Sequence, residues 1–149
     1  MRALASTLQL AHRRRVGTTH VDVRVSNPAD PSRGFEQRLI VDSGAVFTIV
    51  PAPLLRAIGI EPDRVQRFEL ADGRVVTREV GSALYELRKL RAAAPVVFGR
   101  RTDAALLGVV TLEVLGLTVD PLRRTLRAMR PMLLSLGARG IRFAGTAAP

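Results

Sequence analysis

The stretch "LIVDSGAVFTIVP", Leu39 to Pro51, sets one carboxylate, Asp42, and then Ser43, Gly44 and Ala45 inside what is otherwise a continuous apolar strand. A buried, unpaired carboxylate is costly or is forced to take a proton. Asp42 is therefore either a turn residue at the end of a strand or a functional group. β-branched character resumes from Val46 to Val50, and Pro51 halts it.

Upstream, "THVDVRVSN" alternates Val21, Val23 and Val25 with His20, Asp22, Arg24 and Ser26, the period of a half-buried strand. "PADPSRG" breaks it as a loop or wide turn, and Phe35 to Val41 forms the strand that leads into Asp42. Downstream, "PAPLLRAIGI" reads as a short helix with proline at its start, Leu54, Leu55 and Ile58 on one face, and Gly59 as its C-cap. "RFELADGRVVTREV" places two extended runs around Asp72-Gly73, a two-residue hairpin signal, because glycine tolerates positive φ.

Tyr85 with Leu87 and then "APVVFG" predict two more strands. "DAALLGVVTLEVLGLTVDPLRRTLR" predicts an apolar run ending at Gly108, a helical turn or two through Leu112 and Leu115, a Gly116 cap, a strand at Leu117 to Val119, and a turn at Asp120-Pro121. The fold class expected is all-β with two short helices. With 149 residues, the chain has room for one core. The expected organisation is an extension over residues 1–16, a folded domain over 17–130, and a tail over 131–149.

Composition excludes several chemistries. Cysteine is absent, which removes disulfides, thiolate catalysis and cysteine metal sites. His12 and His20 are read as solvated side chains, so neither a metal nor a cofactor is expected. The formal charge of +10 raises nucleic acid as a partner. The basic residues, however, are almost all arginine and are spread along the chain, with local concentrations at Arg13-Arg14-Arg15 and from Arg123 to Arg142. One tyrosine and five phenylalanines provide no evident stacking platform, so a solvated basic surface is the favoured reading.

No apolar run reaches the roughly 20 residues of a membrane-spanning helix. The N-terminal "MRALASTLQLAHRRR" ends in three arginines rather than a small-residue cleavage site. Neither a span nor a signal peptide is expected, and the cytoplasm is the expected location.

The order of these parts resembles the retropepsin-like aspartic proteases over about Gly17 to Arg127. "VDSGAVFTIVPAPLLRAIGI" looks like that family's catalytic loop and following segment, with Asp42, Ser43 and Gly44 matching its Asp-Thr/Ser-Gly motif. "ALLGVVTLEVLGLTVD" looks like its second block, where Leu106, Leu107 and Gly108 match the element that packs beside the catalytic loop. Val46 and Phe47 depart from the polar or small residues many members carry there. The resemblance implies a closed, barrel-like acid protease fold, one lobe per chain. It further implies a flap formed by the hairpin at Ala71, Asp72, Gly73 and Arg74.

Peptide hydrolysis by this route uses two carboxylates sharing one proton, one activating water and the other polarising the scissile carbonyl. This chain has a single Asp-Ser-Gly; Asp103 and Asp120 lack the hydroxyl and glycine that would follow, and both read as turn residues. The second carboxylate then comes from a second copy, and a C2 homodimer acting on a peptide or protein substrate is the expectation. The alternatives are a dimeric binding module of the same fold without turnover, and an arginine-rich binder of nucleic acid or an acidic partner.

Overall fold

The computed structural model describes residues 19–130. The expected extension over 1–16 and the tail over 131–149 lie outside the described residues. Strand β1 (His20–Asn27) keeps the predicted alternation, with Val23 and Val25 fully buried. It pairs antiparallel with β2 (Asp30–Val41), in a register that sets Val25 opposite Phe35 and His20 opposite Ile40.

The loop expected at "PADPSRG" is instead a tight turn followed at once by strand. The Asn27 side chain accepts from the Ala29 N–H at 2.9 Å, and the Asp30 carboxylate accepts from both the Ser32 N–H and its hydroxyl. These bonds and a register shift at Ser26/Asn27 accommodate the prolines that suggested a break.

β3 (Thr48–Pro51) runs into α1 (Ala52–Ala57), whose end carries a Schellman pair: Gly59 N–H donates to the Arg56 carbonyl and Ile60 N–H to the Leu55 carbonyl. Gly59 sits at φ 78°, which is why glycine ends this helix. The expected apolar face narrows to Leu55 and Ile58, while Leu54 is 38% exposed. A helix this short lays only a narrow stripe on the core.

β4 (Arg64–Glu69) and β5 (Val75–Leu87) form the hairpin around Asp72-Gly73. Its loop is longer than the two-residue turn expected. Leu70 N–H donates to the Arg74 carbonyl and Gly73 N–H to the Leu70 carbonyl, and in the loop only Gly73 has positive φ. That is a type I turn closed by a glycine bulge, because Asp72 stays out of the left-handed region a primed turn would demand. β5 is one strand of 13 residues. Its first half pairs with β4, and its second half pairs with β6 (Leu90–Gly99) and, over Leu84–Glu86, with β1.

β7 (Leu106–Leu107) is followed by α2 (Val109–Val114), β8 (Leu117–Asp120) and β9 (Thr125–Ala128). The β8–β9 pair forms a separate two-stranded sheet, and β9 is a strand beyond those its sequence predicts. The other strands run β1-β2-β7-β3-β6-β5-β4, and the β1–β5 pairing closes six of them into a ring with β4 hung outside it. The fold is all-β with two short helices. Val23, Leu39, Val50, Leu55, Tyr85, Val96, Leu107 and Leu112 meet in one core. Among the described residues, no helix is long and apolar enough to cross a membrane.

Candidate active site

Asp42 leaves the end of β2 where that strand lies parallel to β7, with Ile40 opposite Leu106 and Val41 opposite Leu107. β7 is also antiparallel to β3 at Ile49, so these two residues are wedged between the strand entering the Asp42 loop and the strand leaving it. The Asp42 N–H donates to the Leu107 carbonyl at 3.1 Å, and its own carbonyl accepts from the Ala45 N–H at 3.1 Å. Its carboxylate Oδ1 accepts from the Gly44 N–H at 2.9 Å. Asp42 is half-buried, while Ser43 and Gly44 are exposed.

A Cβ on Gly44 would stand 3.2 Å from that carboxylate oxygen, so glycine lets the backbone amide come this close. The loop thus presents one oriented carboxylate beside exposed backbone.

The loop is held from the other side by α2. Its first two amides have no side-chain cap; Val109 N–H donates to the Ala45 carbonyl at 2.8 Å and Val110 N–H to the Val46 carbonyl at 3.0 Å. Helix-end donors that would otherwise be orphaned are satisfied by the loop itself. This also explains why β3 starts at Thr48 rather than at the expected Val46: the carbonyls of residues 45 and 46 are committed to the helix.

Leu106, Leu107 and Gly108 are therefore brought directly against the Asp42 loop. A Cβ on Gly108 would fall 2.4 Å from the Phe47 carbonyl carbon, so only glycine fits there.

Beneath the loop lies a polar group that the sequence reading missed. The Thr48 and Thr111 hydroxyls are 2.6 Å apart and buried, and Thr48 Oγ1 accepts from the Gly108 N–H at 3.0 Å. The fully buried Tyr85 donates to the Pro95 carbonyl at 3.3 Å. Burial pushes the Tyr85 hydroxyl pKa well up, and hydrogen bonding to Thr48 and Thr111 opposes it. The available signal was a hydroxyl residue inside each of two apolar stretches, "VFTIV" and "GVVTLEVL".

The hairpin tip, Ala71 to Arg74, is exposed. Asp72 Oδ1 accepts from the Arg74 N–H at 3.1 Å, and its other oxygen accepts from Arg74 Nε at 2.7 Å. The Arg74 backbone N–H first, and then its guanidinium, hold the Asp72 carboxyl below the usual range. The hydrogen bonds of Asp72, Gly73 and Arg74 stay among Leu70 to Arg74. The hairpin touches the segment after Asp42 through Phe68, whose ring meets Phe47 edge-on with centroids 6.1 Å apart.

Asp103, expected as a turn residue, does close a turn with Arg100, but it also takes a two-pronged ion pair from Arg78. On the other side of the loop, a cavity of about 180 Å³ opens beside Ser43, between α2 and β8, lined by Val109, Leu112, Glu113, Thr118 and Met129 among others.

Against known proteins, no family model matches the chain and no curated protein matches it. Among solved structures it is similar to the solution structure of Simian Foamy Virus (mac) protease. The identity is 19%, the match covers 60% of this chain and 87% of that one, and the TM-score is 0.44.

Proposed function

We propose that this chain is an aspartic-type endopeptidase whose active centre is completed when two copies bring their Asp42 carboxylates together. The observation that carries this reading is the construction of the Asp42 loop: a half-buried carboxylate receives the Gly44 N–H while the loop is clamped between β7 and the start of α2.

In the dimer the paired carboxylates share one proton, since two like charges so close cannot both ionise. The ionised one takes a proton from water as that water attacks the scissile carbonyl carbon. The protonated one donates to the carbonyl oxygen, giving a tetrahedral diol that collapses with protonation of the leaving amine. Ser43 bonds across the axis to the partner loop, and Gly44 and Ala45 keep the turn tight. Leu106, Leu107 and Gly108 fix the loop from behind. The hairpin carrying Ala71, Asp72, Gly73 and Arg74 closes over an extended peptide, which pairs as an added strand.

Cleavage of a diverse peptide library in acidic buffer, with and without pepstatin, tests the reading. Wild type is expected to cleave, and Asp42→Asn to lose roughly 10³-fold or more of that activity while remaining dimeric. A wild-type chain that cleaves nothing overturns it. One observation favours a second reading as an anion binder: Arg123, Arg124, Arg127 and Arg130 are all exposed on or beside the β8–β9 hairpin, next to Leu122 at 94% exposure. DNA binding that falls steeply with salt and is indifferent to Asp42→Asn would mark that reading instead.

A further inference from the structure

Beyond its junction with the ring, the β4–β5 hairpin is a projecting arm. β4 is the edge of the sheet, and Val75 to Glu79 of β5 pair only with β4. In this register Gln66 faces Arg78 and Phe68 faces Val76, so Phe68 and Arg78 share one face of the arm. That is the face turned to the rest of the molecule, since Phe68 meets Phe47 there.

Arg56 of α1 pairs with Glu79 of β5 from the opposite face, but both side chains are exposed by more than two fifths. On the inward face a single aromatic contact would leave the arm free to pivot, and Arg78 supplies a second, shielded point on the other strand. Its Nε and Nη2 donate to the two oxygens of Asp103 at 2.7 and 2.9 Å, and its Nη1 donates to the Thr77 carbonyl at 2.9 Å. Asp103 is itself fixed by the Arg100 N–H at 2.8 Å, and lies three residues before Leu106 enters between β2 and β3.

The two side chains are only 12% and 18% exposed, whereas every other ion pair among the described residues has a partner exposed by 46% or more. Such a shielded pair gives back much of its attraction as lost hydration. What the planar fork adds is direction.

We propose that Arg78 and Asp103 are positioning residues: their ion pair fixes the angle of the hairpin against the strand that holds the Asp42 loop, and so sets how firmly the hairpin grips an extended peptide. The grip rests on the protease reading; the fixing of the arm does not.

Two variants keep the fold while loosening the fork. Asp103→Asn preserves shape and removes charge, and Arg78→Lys preserves charge and removes the planar donor pair. Hydrogen exchange of the wild-type and variant chains, without substrate, is measured first. Amides of Phe68 to Val76 are expected to exchange roughly tenfold faster in both variants, with those of Val96 and Val97 unchanged. Unchanged protection of the hairpin overturns the inference whether or not the chain cleaves peptides.

Peptide cleavage then reads the grip. KM is expected to rise roughly tenfold with kcat held within about twofold, the mark of lost uniform binding. A lowered melting temperature with KM unchanged reduces the pair to a structural tie and overturns the inference. Failure of the wild type to cleave at all overturns the protease reading instead, and exchange alone then decides whether the arm is fixed.

Discussion

A methyl group on Gly108 would lie 2.4 Å from the carbonyl carbon of Phe47 and 2.8 Å from the Thr48 nitrogen. Its φ of −87° suits any residue, so the demand for glycine is one of space alone. Gly108→Ala must push the Phe47-Thr48 backbone away and break the bond from its own N–H to Thr48 Oγ1. A loss of about 1–3 kcal/mol is expected from forcing one extra carbon into packed backbone. A lowered urea midpoint with unchanged slope checks it. Because the displaced backbone directly follows the Asp42 turn, cleavage should fall further than the fraction of folded chain does. Proportional loss of the two would mean that the strain is absorbed before it reaches Asp42.

At the scale of elements, the tie between β5 and the turn before β7 has a pH signature. The Arg78 guanidinium holds the Asp103 carboxyl below the usual range, more strongly than burial raises it, and the Arg100 backbone N–H adds to the lowering. A carboxyl whose folded pKa lies below its unfolded value of about 3.9 contributes stability that is present above that value. The contribution is lost as pH falls through the lowered folded value. The tie therefore persists at the mildly acidic pH where the proposed pair of carboxylates would share its proton. Wild type should exceed Asp103→Asn in stability by a constant margin from neutral pH down to about pH 4, and the margin should shrink below it. Denaturant melts at stepped pH measure this; a margin that stays flat to pH 2 would discount the ion pair.

How legible these elements were in the sequence varied with the kind of signal. β1, α1 and the hairpin were readable because strict alternation, a capping glycine and a glycine-tipped turn are local signals, whereas the place of Leu106 to Gly108 beside the Asp42 loop was only implied by the family resemblance. The length of the hairpin loop was not, since Asp-Gly serves both a primed turn and a glycine bulge. The start of β3 was also hidden, because it depends on α2 taking the carbonyls of Ala45 and Val46, a bond across the fold. The Arg78–Asp103 pair joins positions 25 apart, and nothing near either residue announces the other. β9 was missed because its residues are largely exposed and carry no apolar rhythm.

For the molecule as a whole, the ring surrounds one core and presents one Asp-Ser-Gly loop, so the proposed chemistry depends on association. Activity per chain should fall on dilution, steeply once the concentration drops below the dimer dissociation constant. Progress curves at stepped chain concentration check this, alongside gel filtration at the same concentrations. Constant specific activity in a strictly monomeric chain would rule out a shared pair of Asp42 carboxylates.

β7, two residues long, also has a consequence for the order in which the chain is expected to assemble. Gly108 reaches Thr48 across 60 positions of chain, and the Asp42 N–H waits for the Leu107 carbonyl. Contacts so remote must overcome the entropy of closing a long loop before they repay it, and they form late. A nascent chain that has emerged only as far as β6 carries Asp42, Ser43 and Gly44 but lacks the groups that fix them. On the ribosome, the loop stays unfinished until its distant partners have emerged, so under the proposed protease reading a partly made chain would have no active centre to offer its neighbours.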